Sequence, residues 1–213
     1  MLVGHYAPAL ALKRVAPSLP LWALFLAAQA VDLLFFGLVF VGAEAGALHP
    51  GERPRFSVVL GIYSHSLVMT AGWAAATFAV GAALRHPREG AILALAVGAH
   101  WFLDLAVHVP DLPLAFDQTV AVGLGLWRQP VLAWLLECGL LLGAGLWLAR
   151  ANLVPRKALQ GLVAGLIVLQ TLSDFLIPLP PDDHALGISA YALYLGAAYA
   201  AGRIEWRLPR SAP

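Results

Sequence analysis

The sequence predicts an all-α fold, a polytopic transmembrane helical bundle of about six spans preceded by a short N-terminal helix. Of its 213 residues, 61% are hydrophobic and only 12% are charged. Soluble domains average roughly 45–50% apolar and about 25% charged residues, so the composition excludes an ordinary soluble domain. Several apolar runs reach the roughly 20 residues that an α-helix needs to cross a bilayer. Prolines fall between those runs, where helices end.

We expect the spans at residues 20–41, 57–84, 90–109, 130–149, 157–177 and 185–203. The first run follows the basic residues Lys13 and Arg14, as the apolar core of a signal peptide does. However, it is longer than the roughly 7–15 residues of such a core, and it contains Asp32. It is therefore expected to be a retained helix. No connection is long enough to divide the chain, so residues 1–213 are expected to form a single integral membrane domain.

Residues 2–12 form an apolar stretch that is too short to cross the membrane. If this stretch is a helix folded back against the first span, His5 rises about 15 Å and Asp32 about 20 Å from the intervening turn, at 1.5 Å per residue. The two side chains would then lie near the same depth. The alternative is an amphipathic helix lying on the inner membrane surface.

The basic residues favour one orientation of the bundle. If the first span starts inside, three of the 13 Lys and Arg residues lie outside, namely Arg53, Arg55 and Arg128. The other ten lie inside: Lys13, Arg14, Arg85, Arg88, Arg150, Arg156, Lys157, Arg203, Arg207 and Arg210. The positive-inside rule then predicts a cytoplasmic C-terminus. The net charge of +1 and the lack of a basic cluster give no indication of nucleic-acid binding. The single Cys138 excludes an internal disulfide and a multi-cysteine zinc site.

Ionisable residues inside the spans indicate a buried site. His100, Asp104 and His108 are four residues apart, so they share one face of the third span. Asp32, His65 and His100 each lie roughly 12–14 Å below the outer end of their spans, at 1.5 Å per residue. Such residues need a partner to offset their desolvation. Taken singly, each could simply fasten neighbouring helices.

Together, these residues predict a metal site. The expected ligands are His5, Asp32, His65, His100 and Asp104, with His108 and Glu137 as further candidates. Mixed histidine and carboxylate ligands suit zinc, manganese or iron, whereas calcium prefers oxygen alone. One or two ions are expected. A pair of ions about 3.5–4 Å apart favours hydrolysis, and a carboxylate that is not a ligand, such as Asp32, could serve as the general base.

The order of these residues resembles that in YdjM-like bacterial inner-membrane proteins. The resemblance covers roughly residues 1–150 and rests on Gly4-His5-Tyr6, Asp32, Tyr63-Ser64-His65-Ser66 and His100-Trp-Phe-Leu-Asp104. The order is also distantly similar to the ligands of zinc-dependent phospholipase C and the S1/P1 nucleases. The resemblance implies a metal-dependent hydrolase of the bacterial inner (cytoplasmic) membrane, with zinc as its metal and manganese as the alternative.

Carried over by position, the resemblance makes His5, His65, His100 and Asp104 ligands. Asp32 would be a ligand or the base that activates water, and Asp104 a bridge, so these two aspartates are the expected catalytic residues. The chain also departs from the pattern. The secreted enzymes use an N-terminal amine as a ligand, which Met1 is expected to be poorly placed to supply. Their further His-x-x-x-Glu falls at Ala133 and Glu137, where the histidine is absent.

The leading functional hypothesis is hydrolysis of a phosphoester, either a membrane lipid or a small molecule, that reaches the site through the 108–129 connection. The first alternative is a transporter or permease in which the same groups bind a metal ion or relay protons. A second is a haem protein with His65 and His100 as axial ligands. A third is a purely structural role in which the polar groups fasten the bundle.

Overall fold

The computed structural model describes residues 1–205, so Arg207 and Arg210, counted above on the inner side, lie outside the described residues. The helices and strands are α1 (Tyr6–Val15), α2 (Leu21–Ala28), α3 (Ala30–Phe40), β1 (Ala45–Leu48), β2 (Phe56–Leu60), α4 (Leu67–Ala83), α5 (Pro87–Val107), β3 (Leu112–Pro113), β4 (Ala121–Val122), α6 (Pro130–Ala149), α7 (Arg156–Thr171) and α8 (Asp183–Glu205). A 3₁₀ turn, Leu126–Arg128, precedes α6, and a π-helical turn, Leu172–Leu176, continues α7.

The protein is a helical bundle, but the predicted count of six spans is too high. In the described part of the chain, four helices are long and apolar enough to cross a membrane: α5, α6, α7 with its π-helical turn, and α8. A fifth span results if α2 and α3, which meet at a 55° bend, cross together. The remaining expected span, 57–84, corresponds to α4, whose 17 residues fall short of the length required to cross a membrane.

Two predicted spans differ from the observed elements. The expected helix over 57–84 begins only at Leu67, because Phe56–Leu60 is a strand paired antiparallel with Ala45–Leu48. The run Phe-Ser-Val-Val-Leu is rich in β-branched and aromatic residues, which favour strands. The expected helix over 20–41 is interrupted at Gln29, whose buried side-chain amide donates to the carbonyl of Leu2 at 3.0 Å.

The N-terminal helix α1 is folded back into the bundle, where it packs between α2 and α6. Tyr6 and Leu10 are fully buried, and the Tyr6 ring stacks on Phe25 with centroids 4.3 Å apart. In the last turn of this helix, the Lys13 ammonium forms a buried ion pair with Glu205 at 2.5 Å. Burial on both sides excludes the alternative of a helix lying on the surface, and it brings His5 to the level of Asp32.

The core has two parts, one around α1 and α2 and a smaller one between α3 and α8. Helices α4 and α5 pack as an antiparallel hairpin. Their closest approach is at Gly81 and Gly90, where a Cβ on either glycine would collide with the backbone of the other. The β1–β2 and β3–β4 hairpins lie at the same end of the bundle, since the Val58 N–H donates to Asp111 at 2.8 Å. We call this the hairpin end.

Candidate metal centre

Four of the predicted site residues meet at one buried point: Asp32, His65, His100 and Asp104. Each offers one ligand atom, and these four atoms lie within 4.8 Å of one another. Ligand atoms of zinc lie about 2.0–2.2 Å from the ion, so atoms on opposite sides of it are about 4 Å apart. The four side chains can therefore surround a single metal ion.

The helix α5 supplies two of these residues one turn apart, with His100 Nε2 3.0 Å from Asp104 Oδ2. Asp32 lies in the first turn of α3, just after the bend, and its Oδ1 is 3.5 Å from His100 Nε2. His65 approaches from the other side, with Nε2 3.3 Å from Asp32 Oδ1 and 3.8 Å from Asp104 Oδ2. His65 lies in the turn before α4, so the expectation that it belongs to a membrane-spanning helix is wrong.

The ring orientations of His100 and His108 are fixed by hydrogen bonds on the far side of each ring. His100 Nδ1 donates to the carbonyl of Ala28 at 2.8 Å. His108 Nδ1 donates to Asp111 Oδ1 at 2.9 Å. Because both partners are acceptors, each Nδ1 carries a proton, and each Nε2 faces Asp104. Metal-binding histidines typically have their second nitrogen fixed in this way.

His65 is oriented by a longer chain of hydrogen bonds. Its Nδ1 donates to Ser64 Oγ at 2.8 Å, and the Ser64 hydroxyl donates to Glu44 Oε2 at 2.5 Å. Glu44 Oε1 also accepts from the backbone N–H groups of Tyr63 at 2.7 Å and Ser64 at 3.0 Å. Glu44 is buried although it follows α3 in a connection. This carboxylate therefore fixes both the backbone and the ring of His65.

Two polar atoms that face the centre lack ordinary hydrogen-bond partners. Among residues 1–205, neither His100 Nε2 nor Asp104 Oδ2 has a hydrogen-bond partner, although the two atoms face each other. Two lone pairs at this distance repel each other unless a proton or a cation lies between them. The ring centroids of His65 and His100 are only 5.7 Å apart, and those of His65 and His108 6.2 Å, so three protonated rings would repel strongly. One metal ion could be shared by the four side chains Asp32, His65, His100 and Asp104.

His5 and His108 lie on the other side of Asp104. His5 Nε2 is 3.1 Å and His108 Nε2 is 3.8 Å from Asp104 Oδ1. The His5 ring stacks on His100 with centroids 3.7 Å apart, and neither of its nitrogens has a hydrogen-bond partner within residues 1–205. Asp104 thus turns one oxygen toward His65 and His100 and the other toward His5 and His108, as a bridging carboxylate would.

The N-terminal segment lies closer to the centre than the sequence suggested. The backbone nitrogen of Met1 donates to Asp104, so the expectation that Met1 is poorly placed to reach the site is wrong. Glu137, a further candidate ligand, has a different role here. Its Oε2 accepts from the N–H groups of Leu2 at 2.8 Å and Gly4 at 3.3 Å. It holds the segment that carries His5 and lies outside the group of four.

Three supporting residues were not singled out by sequence reasoning: Glu44, Asp111 and Tyr194. The Tyr194 hydroxyl donates to Asp32 Oδ2 at 2.8 Å. The spacing of His108 and Asp111, three residues apart at a helix end, is a signal that could have found the second of these. Neither Glu44 nor Tyr194 carries such a signal, because each lies far along the chain from its partner.

A cavity of about 250 Å³ opens beside the centre. Asp32, His65 and His108 line its polar side, and Arg53 and Arg55 reach it from the β1–β2 hairpin. The remaining wall is largely apolar. The space between His65 and His100 is not part of this cavity, because Asp32 Oδ1 lies within 3.3–3.5 Å of both Nε2 atoms. The haem alternative stays a prediction, and a porphyrin between these two rings would have to displace Asp32.

Comparisons of the chain with family models, with curated proteins and with solved structures found no match. The resemblance to YdjM-like proteins therefore stays a prediction that rests on the order of His5, Asp32, His65, His100 and Asp104. The geometry itself establishes a narrower point. A buried group of two aspartates and two histidines could bind a metal ion.

Proposed function

We propose that this protein is a membrane-embedded, metal-dependent hydrolase of a phosphoester, with zinc or manganese held by Asp32, His65, His100 and Asp104. The observation that carries the proposal is the buried group of four, in which His100 Nε2 and Asp104 Oδ2 lie 3.0 Å apart and neither has a hydrogen-bond partner among residues 1–205. Mixed nitrogen and oxygen ligands favour zinc or manganese over calcium. Two further potential ligands, His5 and His108, lie near Asp104 Oδ1, which also accepts from the Met1 nitrogen.

A metal ion in this position would polarise the phosphoryl oxygen and make a bound water more acidic. The chain's own residues supply the rest. Asp32 is the most exposed of the four at 9%, and it lines the cavity, so it is best placed to accept a proton from water. The water oxygen bonds to phosphorus while the ester P–O bond breaks, and the leaving alcohol takes a proton from solvent. Tyr194 holds Asp32 through its other oxygen.

The test is the metal content of detergent-purified protein, measured by elemental analysis together with hydrolysis of bis(p-nitrophenyl) phosphate. Wild type should carry near-stoichiometric zinc or manganese and hydrolyse the diester. His65→Ala should lose both, and its circular dichroism should stay helical because His65 lies in a turn. His86→Ala, which removes an exposed histidine at the start of α5, is the matched control and should change neither. Folded wild type that stays metal-free after incubation with both metals would refute the proposal.

One observation favours a transporter as the second candidate. The first span is broken at Gln29, three residues before Asp32, and discontinuous helices commonly form ion sites in transporters. This candidate predicts zinc or manganese flux into liposomes without turnover of any phosphoester. Hydrolysis without flux would exclude it, and flux without hydrolysis would replace the leading proposal.

We further propose that residues 1–213 form one integral domain of the bacterial inner membrane, with the hairpin end outside and the C-terminus in the cytoplasm. The support is the uneven division of Lys and Arg between the two ends. Single cysteines at Asp117 in the hairpin end and at Asn152 between α6 and α7, in a Cys138→Ala background, should label oppositely with an impermeant maleimide. Labelling of position 152 from the outside would reverse the orientation.

A further inference from the structure

A second, longer groove runs between α7 and α8. Its volume is about 940 Å³, and it extends from Ala158 and Ile204 to the residues that follow the π-helical turn. The residues common to this groove and to the cavity beside the metal centre are Arg55, Ser173, Leu179, Leu186, Ser189 and Leu193. The groove therefore adjoins the cavity beside the candidate metal centre.

The groove is apolar and is kept open by small residues. A Cβ added at Gly161, Gly165 or Gly196 would meet no atom within 4 Å, so the space beside these glycines is empty. From Ala158 to Ser173 the helix rises about 22 Å at 1.5 Å per residue. This length exceeds the thickness of one leaflet, which is half of the hydrocarbon core of about 30 Å. The groove can thus hold a fully extended long acyl chain.

Two arginines mark the place where the groove joins the cavity. The Arg55 guanidinium donates to the carbonyls of Ser173 at 2.5 Å and Ile177 at 2.8 Å, which fixes its position at the end of α7. Arg53 is exposed, and its one hydrogen bond in the described residues is a 3.4 Å contact to the carbonyl of Asp174. The nearby Asp174 carboxylate accepts from Gln170 at 2.7 Å through one oxygen, and it lies near both arginines without a direct ion pair to either.

The two guanidinium groups lie close enough to affect each other. Partial burial, and then the neighbouring Arg53 charge, lower the pKa of the Arg55 guanidinium from its ordinary value. Arginine stays charged at any physiological pH, so the two side chains repel each other. An anion between them would relieve that repulsion, and phosphate is the anion that guanidinium groups bind in bidentate fashion.

We propose that the groove and the two arginines bind an anionic phospholipid, and, on the basis of the proposed function, that this lipid is the substrate. One acyl chain lies in the groove between α7 and α8, and the phosphodiester lies in the cavity between Arg53, Arg55 and the metal centre. The lipid enters sideways from the membrane between α7 and α8. This differs from the expected route through the 108–129 connection, which contributes His108 and Trp127 to the cavity wall.

The test uses full-length protein in nanodiscs with phosphatidylglycerol that carries a diazirine in the middle of one acyl chain. Illumination of wild type should label peptides from α7 and α8. The double variant Gly165→Leu/Gly196→Leu fills the groove and should lose most of the label, and Arg53→Gln should weaken it. Gly139→Leu/Gly143→Leu is the matched control, because these α6 glycines are equally open but lie outside the groove. Equal labelling of the filled and control variants would overturn the proposal.

Hydrolysis measured in parallel separates this inference from the proposed function. The groove-filling variant should lose phosphatidylglycerol hydrolysis by about tenfold or more, because remote binding energy contributes to turnover, while its hydrolysis of bis(p-nitrophenyl) phosphate is unchanged. Equal losses on both substrates, or none on the lipid, would refute the groove's role. Groove labelling in wild type that hydrolyses neither substrate would refute the hydrolase and still support the lipid site.

Discussion

Glu44 offers the clearest test of how the site is built. It makes no hydrogen bond to the four candidate ligands, and it acts on His65 through Ser64. Glutamine in its place keeps one acceptor oxygen for the two backbone N–H groups, but it places an amide N–H donor where Oε2 accepted the Ser64 hydroxyl. The Ser64 hydroxyl is then free to turn. The His65 Nδ1 proton loses a fixed acceptor, so the ring can rotate away from Asp32 and Asp104.

The expected size of the effect follows from the kind of hydrogen bond that the substitution removes. Partners that orient metal-binding histidines typically change metal affinity by about 10–100-fold when they are removed. Since about 1.4 kcal/mol corresponds to tenfold, Glu44→Gln should weaken zinc binding by about 1.4–2.8 kcal/mol. Ser64→Ala interrupts the same chain of hydrogen bonds and should have a similar effect. Because both changes break one path, the double variant should be no weaker than the worse single variant.

The assay is competitive zinc titration against a chelator on detergent-purified protein, with helicity checked by circular dichroism. Glu52→Gln is the matched control, because Glu52 is an exposed glutamate in the nearby loop between β1 and β2. It should bind zinc as wild type does. Additive losses in the double variant would show that Glu44 and Ser64 act separately. Wild-type affinity in Glu44→Gln would refute the orienting role altogether.

Two further predictions concern the same centre. Tyr194→Phe removes the 2.8 Å hydrogen bond to Asp32 Oδ2 and leaves Asp32 Oδ1 in place. The kcat on the diester should therefore fall about tenfold with metal content unchanged. Loss of metal would mean that Tyr194 also positions the ligands. Removing the metal with a chelator should speed amide hydrogen exchange in residues 61–66, which reach the centre through His65, and leave the centre of α6 unchanged. Uniform acceleration along the chain would instead indicate global unfolding.

The spacing of residues along single helices correctly predicted several relative positions within the fold. The four-residue spacing of His100 and Asp104 put both on one face of α5, because helix geometry alone decides this. Depth along the helices likewise brought Asp32 to the level of His100. The N-terminal helix could be placed against the first span because its turn was marked by Pro17 and Pro20.

Features set by distant contacts were not predictable. The apolar run at 57–66 could not be distinguished from a helix by length or hydropathy, and only its pairing with β1 makes it a strand and a turn. The bend at Gln29 follows no proline or glycine. Glu44 resembles any other acidic residue of a connection, because its partners, Tyr63 and Ser64, lie about 20 residues further along the chain.

The polar residues of this bundle fall into two groups with different physical roles. Asp32, His65, His100 and Asp104 turn their polar atoms toward one another and could bind a metal ion. Others satisfy irregular backbone, which inside a membrane is tolerated only where protein groups bind it. The second group consists of Glu44 on Tyr63 and Ser64, Glu137 on Leu2 and Gly4, and Gln170 on Val3. Both groups look alike in sequence, as single polar residues in or beside apolar runs. The irregular backbone is what allows His5 and His65 to approach α5, so the supporting residues are as necessary to the centre as the ligands.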